Sequence, residues 1–209
     1  MRKFVVHRGV AAPLLRANID TDAIIPSREM KHVSKTGLAD GLFAGWRYLN
    51  PDTRTPDPSF VLNHEDFAKA SILIAGANFG CGSSREHAVW ALAEFGIRAI
   101  IAPSFGAIFQ NNCIRNGLLP AVLDEGSVRR LADVADRGPL VVDLERCVIV
   151  APDGSEYRFD IAPGDREMLL QGIDAVEATL RRKDQIEAFE ARDRERRPWM
   201  HLGKGGPLS

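Results

Sequence analysis

Short apolar runs and helix-like spacings alternate through the middle of the chain. The run Ser71-Ile72-Leu73-Ile74-Ala75 is almost wholly apolar, which predicts a buried strand. The pattern after it predicts, in chain order, a helix over 85–95, a strand over 98–102, a helix within 105–115 that ends at Asn116-Gly117, and a strand over 118–122. This alternation is typical of a partly parallel α/β core.

Further elements are predicted on both sides of this core. They are strands over 4–6, 9–14, 140–143, 147–150 and 157–159 and helices over 165–171 and 175–182. The run 183–197 is rich in charges of both signs, with Ile186 and Phe189 as its apolar positions, and it predicts a solvated helix or one that docks a narrow stripe. We expect one domain over residues 1–190 and a charged, flexible extension over 191–209.

The composition excludes several classes of function. Hydrophobic residues make up 45% of the 209 residues and charged residues 26%, as in ordinary soluble globular proteins. The formal net charge of −1 creates no field that would attract nucleic acid or an anionic membrane. A membrane span would need about eighteen consecutive apolar residues, and the chain has no such run. The first residues, 1–8, are not followed by an apolar signal core, so we expect a cytoplasmic protein.

A glycine-rich segment over 76–88 joins the predicted strand 71–75 to the predicted helix. Ser83 and Glu86 have the spacing of a capping box, which predicts that Ser83 caps the start of the helix. Free N–H groups at a helix start favour anions, and Arg85 adds a planar fork that suits a carboxylate. The segment therefore predicts a binding site for a small carboxylic acid.

Common glycine motifs do not describe this segment. A P-loop needs a Gly-Lys-Ser/Thr ending, and no Lys follows Gly82. The dinucleotide fingerprint needs a third glycine where Arg85 stands. A nucleophile elbow needs Gly-x-Ser-x-Gly, and neither Ser83 nor Ser84 has that frame.

Four stretches together resemble the swivelling domain of the aconitase superfamily. They are Asn18-Ile19-Asp20-Thr21-Asp22-Ala23-Ile24-Ile25-Pro26, Gly80-Cys81-Gly82-Ser83-Ser84-Arg85-Glu86-His87-Ala88, Ala99-Ile100-Ile101-Ala102-Pro103-Ser104-Phe105 and Asn116-Gly117-Leu118-Leu119-Pro120. The resemblance implies an α/β fold of β/β/α type with a mixed, barrel-like sheet. It also implies a hydro-lyase subunit that isomerises 2-isopropylmalate to 3-isopropylmalate in leucine biosynthesis, by dehydration followed by rehydration.

The resemblance also implies a partner and a cofactor outside this chain. In the family a four-iron cluster, held by cysteines of another domain, assists departure of the hydroxyl. The cysteines here, Cys81, Cys113 and Cys147, have no metal-binding spacing. We therefore expect no cofactor on this chain, a 4Fe-4S cluster on a large subunit, and a heterodimer or larger complex acting on a di- or tricarboxylate.

Family position implies roles for four residues of these motifs. Ser83 stands where the family has its catalytic base; the simpler alternative is that Ser83 only caps the helix. Asp22 stands where the family has an aspartate that partners a histidine of the cluster-bearing part; alternatively it only bonds its own turn. Arg85 is expected to bind a substrate carboxylate, and Ser84 to donate a hydrogen bond to the substrate or to the loop.

The polar segment 27–36 falls where relatives carry a substrate-recognition loop. Arg28, Lys31 and Lys35 are its candidates for contact with the substrate, and a flexible solvated loop is the alternative. Two other functions stay open. The first alternative is a subunit of a related hydro-lyase that acts on homoaconitate, citraconate or dimethylmaleate. The second is a non-catalytic module that binds carboxylates.

Overall fold

A computed structural model describes residues 1–30 and 36–200 of the chain. Lys31 and Lys35, two of the candidate substrate contacts, lie outside the described residues. The chain divides into two compact units, Met1–Gly172 and Ile173–Ser209. In the described part, no helix is both long and apolar enough to cross a membrane.

The first unit is built on a seven-stranded sheet. All nine strands of the described residues are, in chain order, β1 Val6–Leu14, β2 Tyr48–Asn50, β3 Thr55–Pro56, β4 Ala70–Ala75, β5 Ala99–Ala102, β6 Leu119–Val122, β7 Leu140–Asp143, β8 Val148–Val150 and β9 Glu156–Arg158. The sheet has the order β6-β5-β4-β1-β7-β8-β9, and β2 and β3 form a separate hairpin. The two early strands predicted from sequence are a single strand, β1, because the polar residues between them continue the pairing with β7.

The sheet is mixed and curled. Strands β1, β4, β5 and β6 pair in parallel, whereas β1, β7, β8 and β9 pair in antiparallel fashion. An isolated bridge joins Val122, at the end of β6, to Asp160, just after β9, so the two edges of the sheet approach each other at this point. The predicted α/β fold with a mixed, barrel-like sheet is confirmed.

Helices cover both faces of the sheet. The α-helices of the first unit are α1 Thr21–Ile24, α2 Ala44–Arg47, α3 Glu86–Phe95, α4 Ala107–Arg115, α5 Glu125–Asp133 and α6 Pro163–Gln171. The predicted end of α4 is confirmed, since Asn116 is its C-cap and Gly117 has φ +76°.

The central strands β1, β4 and β5 each contribute to two hydrophobic cores, because alternate side chains point to opposite faces. On β4, Leu73 and Ala75 belong to one cluster, which also contains residues of α3 and α4. Ile72 and Ile74 belong to the other cluster, which also contains Val128 and Leu131 of α5 and Leu169 of α6. The central strands are therefore buried on both sides, which explains why they read as continuous apolar runs.

The second unit is helical where it is described. Its helices are α7 Ala175–Leu180 and α8 Lys183–Arg196. None of the residues of α8 is buried, and ion pairs with i,i+4 spacing run along the unit, for example Lys183 with Glu187 at 3.5 Å. This agrees with the predicted solvated, charged helix. α8 runs across residue 190, where the sequence suggested a boundary.

Candidate functional site

Three loops meet at one edge of the sheet. Strands β1, β4 and β5 are parallel, so their carboxyl ends lie together and the loops after them are neighbours. Backbone bonds tie these loops to one another: Gly80 N–H donates to the Ile19 carbonyl at 2.7 Å, and Phe79 N–H donates to the Ser104 carbonyl at 3.1 Å. This edge is where open α/β sheets bind ligands.

The glycine loop has a backbone shape that requires two of its glycines. Gly80 has φ +72° and Gly82 has φ +88°, a region that side chains rarely adopt. A Cβ added at Gly80 would also lie 2.1 Å from the Phe109 ring, which is buried beneath the loop. At Gly82 the nearest atom would be the Asp20 Cβ at 3.4 Å, an ordinary contact. The loop therefore packs tightly at Gly80 and is open at Gly82.

The predicted capping box is wrong. Helix α3 begins at Glu86, its N-cap is Arg85 in extended conformation (φ −69°, ψ 105°), and no side chain within the described residues caps it. The reason is a competing partner, since the Glu86 carboxylate accepts a hydrogen bond from the Asn116 side chain at 2.8 Å. Ser83 and Ser84 consequently lie in the loop, both exposed, and not in the first helical turn.

Ser83 is held by Thr21, a residue to which the sequence analysis assigned no role. The Thr21 hydroxyl lies 3.0 Å from the Ser83 hydroxyl and donates to the Ser83 carbonyl at 3.2 Å. Thr21 is 1% exposed and begins α1, where the Asp20 side chain caps the helix by accepting from Ala23 N–H at 2.7 Å. In the sequence, the position of Thr21 directly before the candidate residue Asp22 was the feature that could have pointed to it.

Asp22 and Arg85 form an ion pair across the two loops. The Arg85 side chain is 24% exposed and that of Asp22 is 56% exposed, so the pair is open to solvent on the Asp22 side. Ser27 also donates to the same Asp22 oxygen at 3.4 Å. The structure thus brings Asp22 into contact with Arg85, 63 residues further along the chain and in the same loop as Ser83 and Ser84.

Arg28 lies on a short 3-10 helix, Ser27–Glu29, directly after α1 and Ile25. Its guanidinium is half exposed and its Nε–H donates to Glu29 at 3.4 Å. Glu29 also accepts a bond of 2.5 Å from Arg54. Among the predicted recognition residues, Arg28 is therefore the one that the structure describes, and it carries a solvent-facing charge near Asp22.

Thiols and carboxylates do not converge into a metal site among residues 1–30 and 36–200, where no group of three or more His, Cys, Asp or Glu residues could hold a metal ion. Cys81 is partly exposed in the glycine loop. Cys113 is fully buried, and burial raises the pKa of its thiol well above the ordinary value. The donor set at the carboxyl edge is thus made of hydroxyls and an ion pair, which suit carboxylate binding and proton transfer.

Family models match most of the chain. An Aconitase C-terminal domain model matches residues 1–126, and a LeuD_N model matches residues 129–163. A model for the C-terminal domain of the 3-isopropylmalate dehydratase small subunit matches residues 178–201. The first of these contains every candidate site residue.

Relatives of known name match over nearly the full length. The chain is 61% identical to a 3-isopropylmalate dehydratase small subunit of Cupriavidus necator, over 97% of this chain and 99% of the relative. It is 52% identical to one of Rhodospirillum centenum, over 95% and 98% of the two chains. A crystal structure of 3-isopropylmalate dehydratase from Methanocaldococcus jannaschii matches with TM-score 0.64 and 28% identity, over 89% of this chain and 99% of that one.

Proposed function

The chain belongs to the family of 3-isopropylmalate dehydratase small subunits, hydro-lyases of leucine biosynthesis in the aconitase superfamily, and we propose that its carboxyl edge is one half of that active site. The observation that carries this proposal is the meeting of Ser83, Thr21, Asp22 and Arg85 there. The small-subunit names of the relatives imply a large partner chain, and we propose that this large subunit supplies the rest of the site in a heterodimer or larger complex.

The reaction requires removal of a proton from C3 of 2-isopropylmalate and loss of the hydroxyl from C2, which gives isopropylmaleate; water then returns with the hydroxyl on C3. Ser83 is the proposed base for the C3 proton. A serine acts as a base only where its anion is stabilised. The Thr21 hydroxyl lies 3.0 Å away, and its single proton can turn from the Ser83 carbonyl to that anion. The cationic Arg85 follows two residues later in the same loop.

Arg85 is the proposed ligand of a substrate carboxylate. It already forms an ion pair with one carboxylate, that of Asp22, which supports a role in binding an anion. A substrate carboxylate would compete for the same donors and leave Asp22 available to the histidine that the resemblance places on the large subunit. Ser84 is a proposed hydrogen-bond donor and Arg28 a proposed charge for the other end of the substrate.

The large subunit is the proposed carrier of a 4Fe-4S cluster, which would supply a Lewis acid for departure of the hydroxyl. The contribution of this chain is to bind, orient and deprotonate. An amino-acid biosynthetic role supports the cytoplasm as the compartment.

The test is an anaerobic assay with the co-expressed large subunit, in which the absorbance of the alkene reports dehydration of isopropylmalate. We expect turnover that needs both chains and is lost in Ser83→Ala with the complex intact. Ser155→Ala, in the turn before β9, is the matched control. Turnover by this chain alone, or full activity of Ser83→Ala, would overturn the assignment. A stable complex without isopropylmalate turnover would favour another hydro-lyase, and failure to form a complex would favour a carboxylate-binding module.

A further inference from the structure

Glu94, near the C-terminal end of α3, holds a loop by its backbone. Its carboxylate accepts hydrogen bonds from three consecutive N–H groups, those of Gly37 at 2.6 Å, Leu38 at 2.5 Å and Ala39 at 2.9 Å. Bonds from backbone N–H groups to an ionised carboxylate are among the stronger hydrogen bonds in proteins. A glutamate at the surface can be solvated by water and does not need three backbone donors. We therefore read the contacts as fixing the position of residues 37–39.

The charge of Glu94 is maintained by the same contacts. Partial burial acts to raise the pKa of the carboxyl, but the three backbone donors outweigh burial and hold the pKa below its ordinary value. The carboxylate is therefore ionised at neutral pH.

The anchored loop packs on the segment that leaves α1. Residues 39–41 form a 3-10 turn, and Gly41 lies against that segment so closely that an added Cβ would be 2.7 Å from both Glu29 Cβ and Ile25 Cδ1. Leu38 is 3% exposed and Leu42 fully buried, which seats the loop in the core beneath. A shift of the loop would therefore displace Glu29, which is the neighbour of Arg28 in sequence.

A second set of contacts joins the same two segments. Arg54 binds Glu29 at 2.5 Å and donates to the Asp40 carbonyl at 3.2 Å, so one guanidinium bridges them. The Tyr48 hydroxyl donates to the same carbonyl at 3.1 Å. The Glu29 side chain is only 11% exposed, which shields its ion pair from solvent. Residues 25–29 and 37–41 are thus linked by packing and by hydrogen bonds. Glu94 connects the second of these segments to α3.

We infer that Glu94 is a positioning residue for substrate recognition: by holding residues 37–39 to α3, it places Arg28 and the start of the proposed recognition segment relative to Ser83 and Arg85. The inference rests on the proposed function of the carboxyl edge. Glu94 lies at the far end of the helix that follows the Ser83 loop, so α3 connects the proposed proton-transfer loop at one end with residues 37–39 at the other.

Loss of the anchor affects binding more than chemistry. Ser83, Thr21 and Arg85 are held by α1 and the glycine loop, and none of their contacts passes through Glu94. If the 37–41 loop loosens, Arg28 is no longer held in place against the substrate. The bound substrate and the transition state then lose the same contacts. Uniform loss of binding raises KM and leaves kcat unchanged.

The test is Glu94→Gln in the complex with the large subunit. The amide keeps the size of the side chain and one acceptor oxygen, but it removes the charge and replaces the other oxygen by an N–H donor. At least one of the three N–H groups of residues 37–39 therefore loses its partner, and the hydrogen bonds that remain are no longer charge-assisted. We expect KM for 2-isopropylmalate to rise about tenfold, as for one lost charged hydrogen bond, with kcat within about twofold. The matched control is Glu156→Gln on β9, which removes an exposed ion pair with Arg146. This variant should change neither KM nor kcat.

The outcomes separate this inference from the function on which it rests. Wild-type complex without isopropylmalate turnover would overturn the proposed function itself. Active wild type with Glu94→Gln unchanged in KM would overturn only the positioning role, as would a fall in kcat equal to the rise in KM. A lower melting temperature with both constants unchanged would show a structural role alone and would also reject the inference.

Discussion

The hydroxyl oxygens of Ser83 and Thr21 lie 3.0 Å apart, although 62 residues separate them in sequence. Thr21 is buried and fixed by the first turn of α1, whereas Ser83 is exposed at the end of a glycine loop. A rigid donor thus stands behind a solvent-facing serine. This relationship gives the proposed base a fixed partner for its charge without a helix start at Ser83.

Replacement of Thr21 by valine should lower kcat by about tenfold or more, because a bond to a charged group is worth about 1.5–3 kcal/mol. Valine keeps the shape of threonine, so the buried site should stay filled. Thr21→Ser restores the hydroxyl and should recover most of the activity. Steady-state kinetics of both variants in the complex are the measurement, and equal loss in both would reject the hydrogen-bond explanation.

Replacement of Arg85 by lysine should raise KM by about tenfold with a smaller effect on kcat, since the charge remains but the planar fork that grips a carboxylate with two bonds is lost. Inhibition by a plain dicarboxylate measures the same contact without turnover. The expected result is parallel weakening of substrate and inhibitor. An inhibitor constant that does not move would place the carboxylate elsewhere.

The two glycines of the loop should differ in their response to alanine. Gly80→Ala meets both the positive φ and the Phe109 ring, so we expect a loss of several kcal/mol or no folded protein. Gly82→Ala meets only the positive φ, which costs about 1–2 kcal/mol. Urea unfolding of the two variants compares them directly. Similar losses would mean that the ring moves aside at little cost.

The His7 imidazole should make the protein less stable in mild acid. Burial, the Arg98 charge and the Arg2 charge lower its pKa, so the unfolded chain takes up the proton first and the free energy of unfolding falls as the pH drops through 6.5, the ordinary value. The loss levels off below the lowered pKa. In His7→Gln this component should be missing, and an unchanged pH profile in that variant would exclude His7 as its source.

A chain ending at residue 190 should keep the melting temperature of the first unit, because both hydrophobic clusters are made of residues between Phe4 and Leu169. The cut shortens α8 but removes no member of either cluster. A chain ending at residue 160 is the contrasting variant, since it loses α6 and Leu169 and should not fold. Calorimetry on the two truncated chains shows whether residues 161–190 are needed for folding and residues 191–209 are not.

Much of the fold was predictable from periodicity alone. The run Ser71–Ala75 and the helix over 85–95 agree with β4 and α3 to within one residue, because central strands are buried on both faces and α3 packs one regular stripe. The division of β1 into two strands was wrong because its polar middle, His7 and Arg8, lies at pairing positions that local sequence does not distinguish from a loop.

The motifs by themselves indicated the family, the loop that carries the proposed base, and Asp22 and Arg85 as candidate site residues. The contact between Asp22 and Arg85 was decided by the tertiary structure. Only the tertiary structure decided that α3 starts at Glu86, because the competing donor, Asn116, comes from the end of another helix. The contact of Thr21 with Ser83 and the contacts of Glu94 with residues 37–39 were likewise decided by the tertiary structure. Local sequence specifies backbone preference and burial, whereas a hydrogen-bond partner 30 to 62 residues away is set by how strands and helices pack.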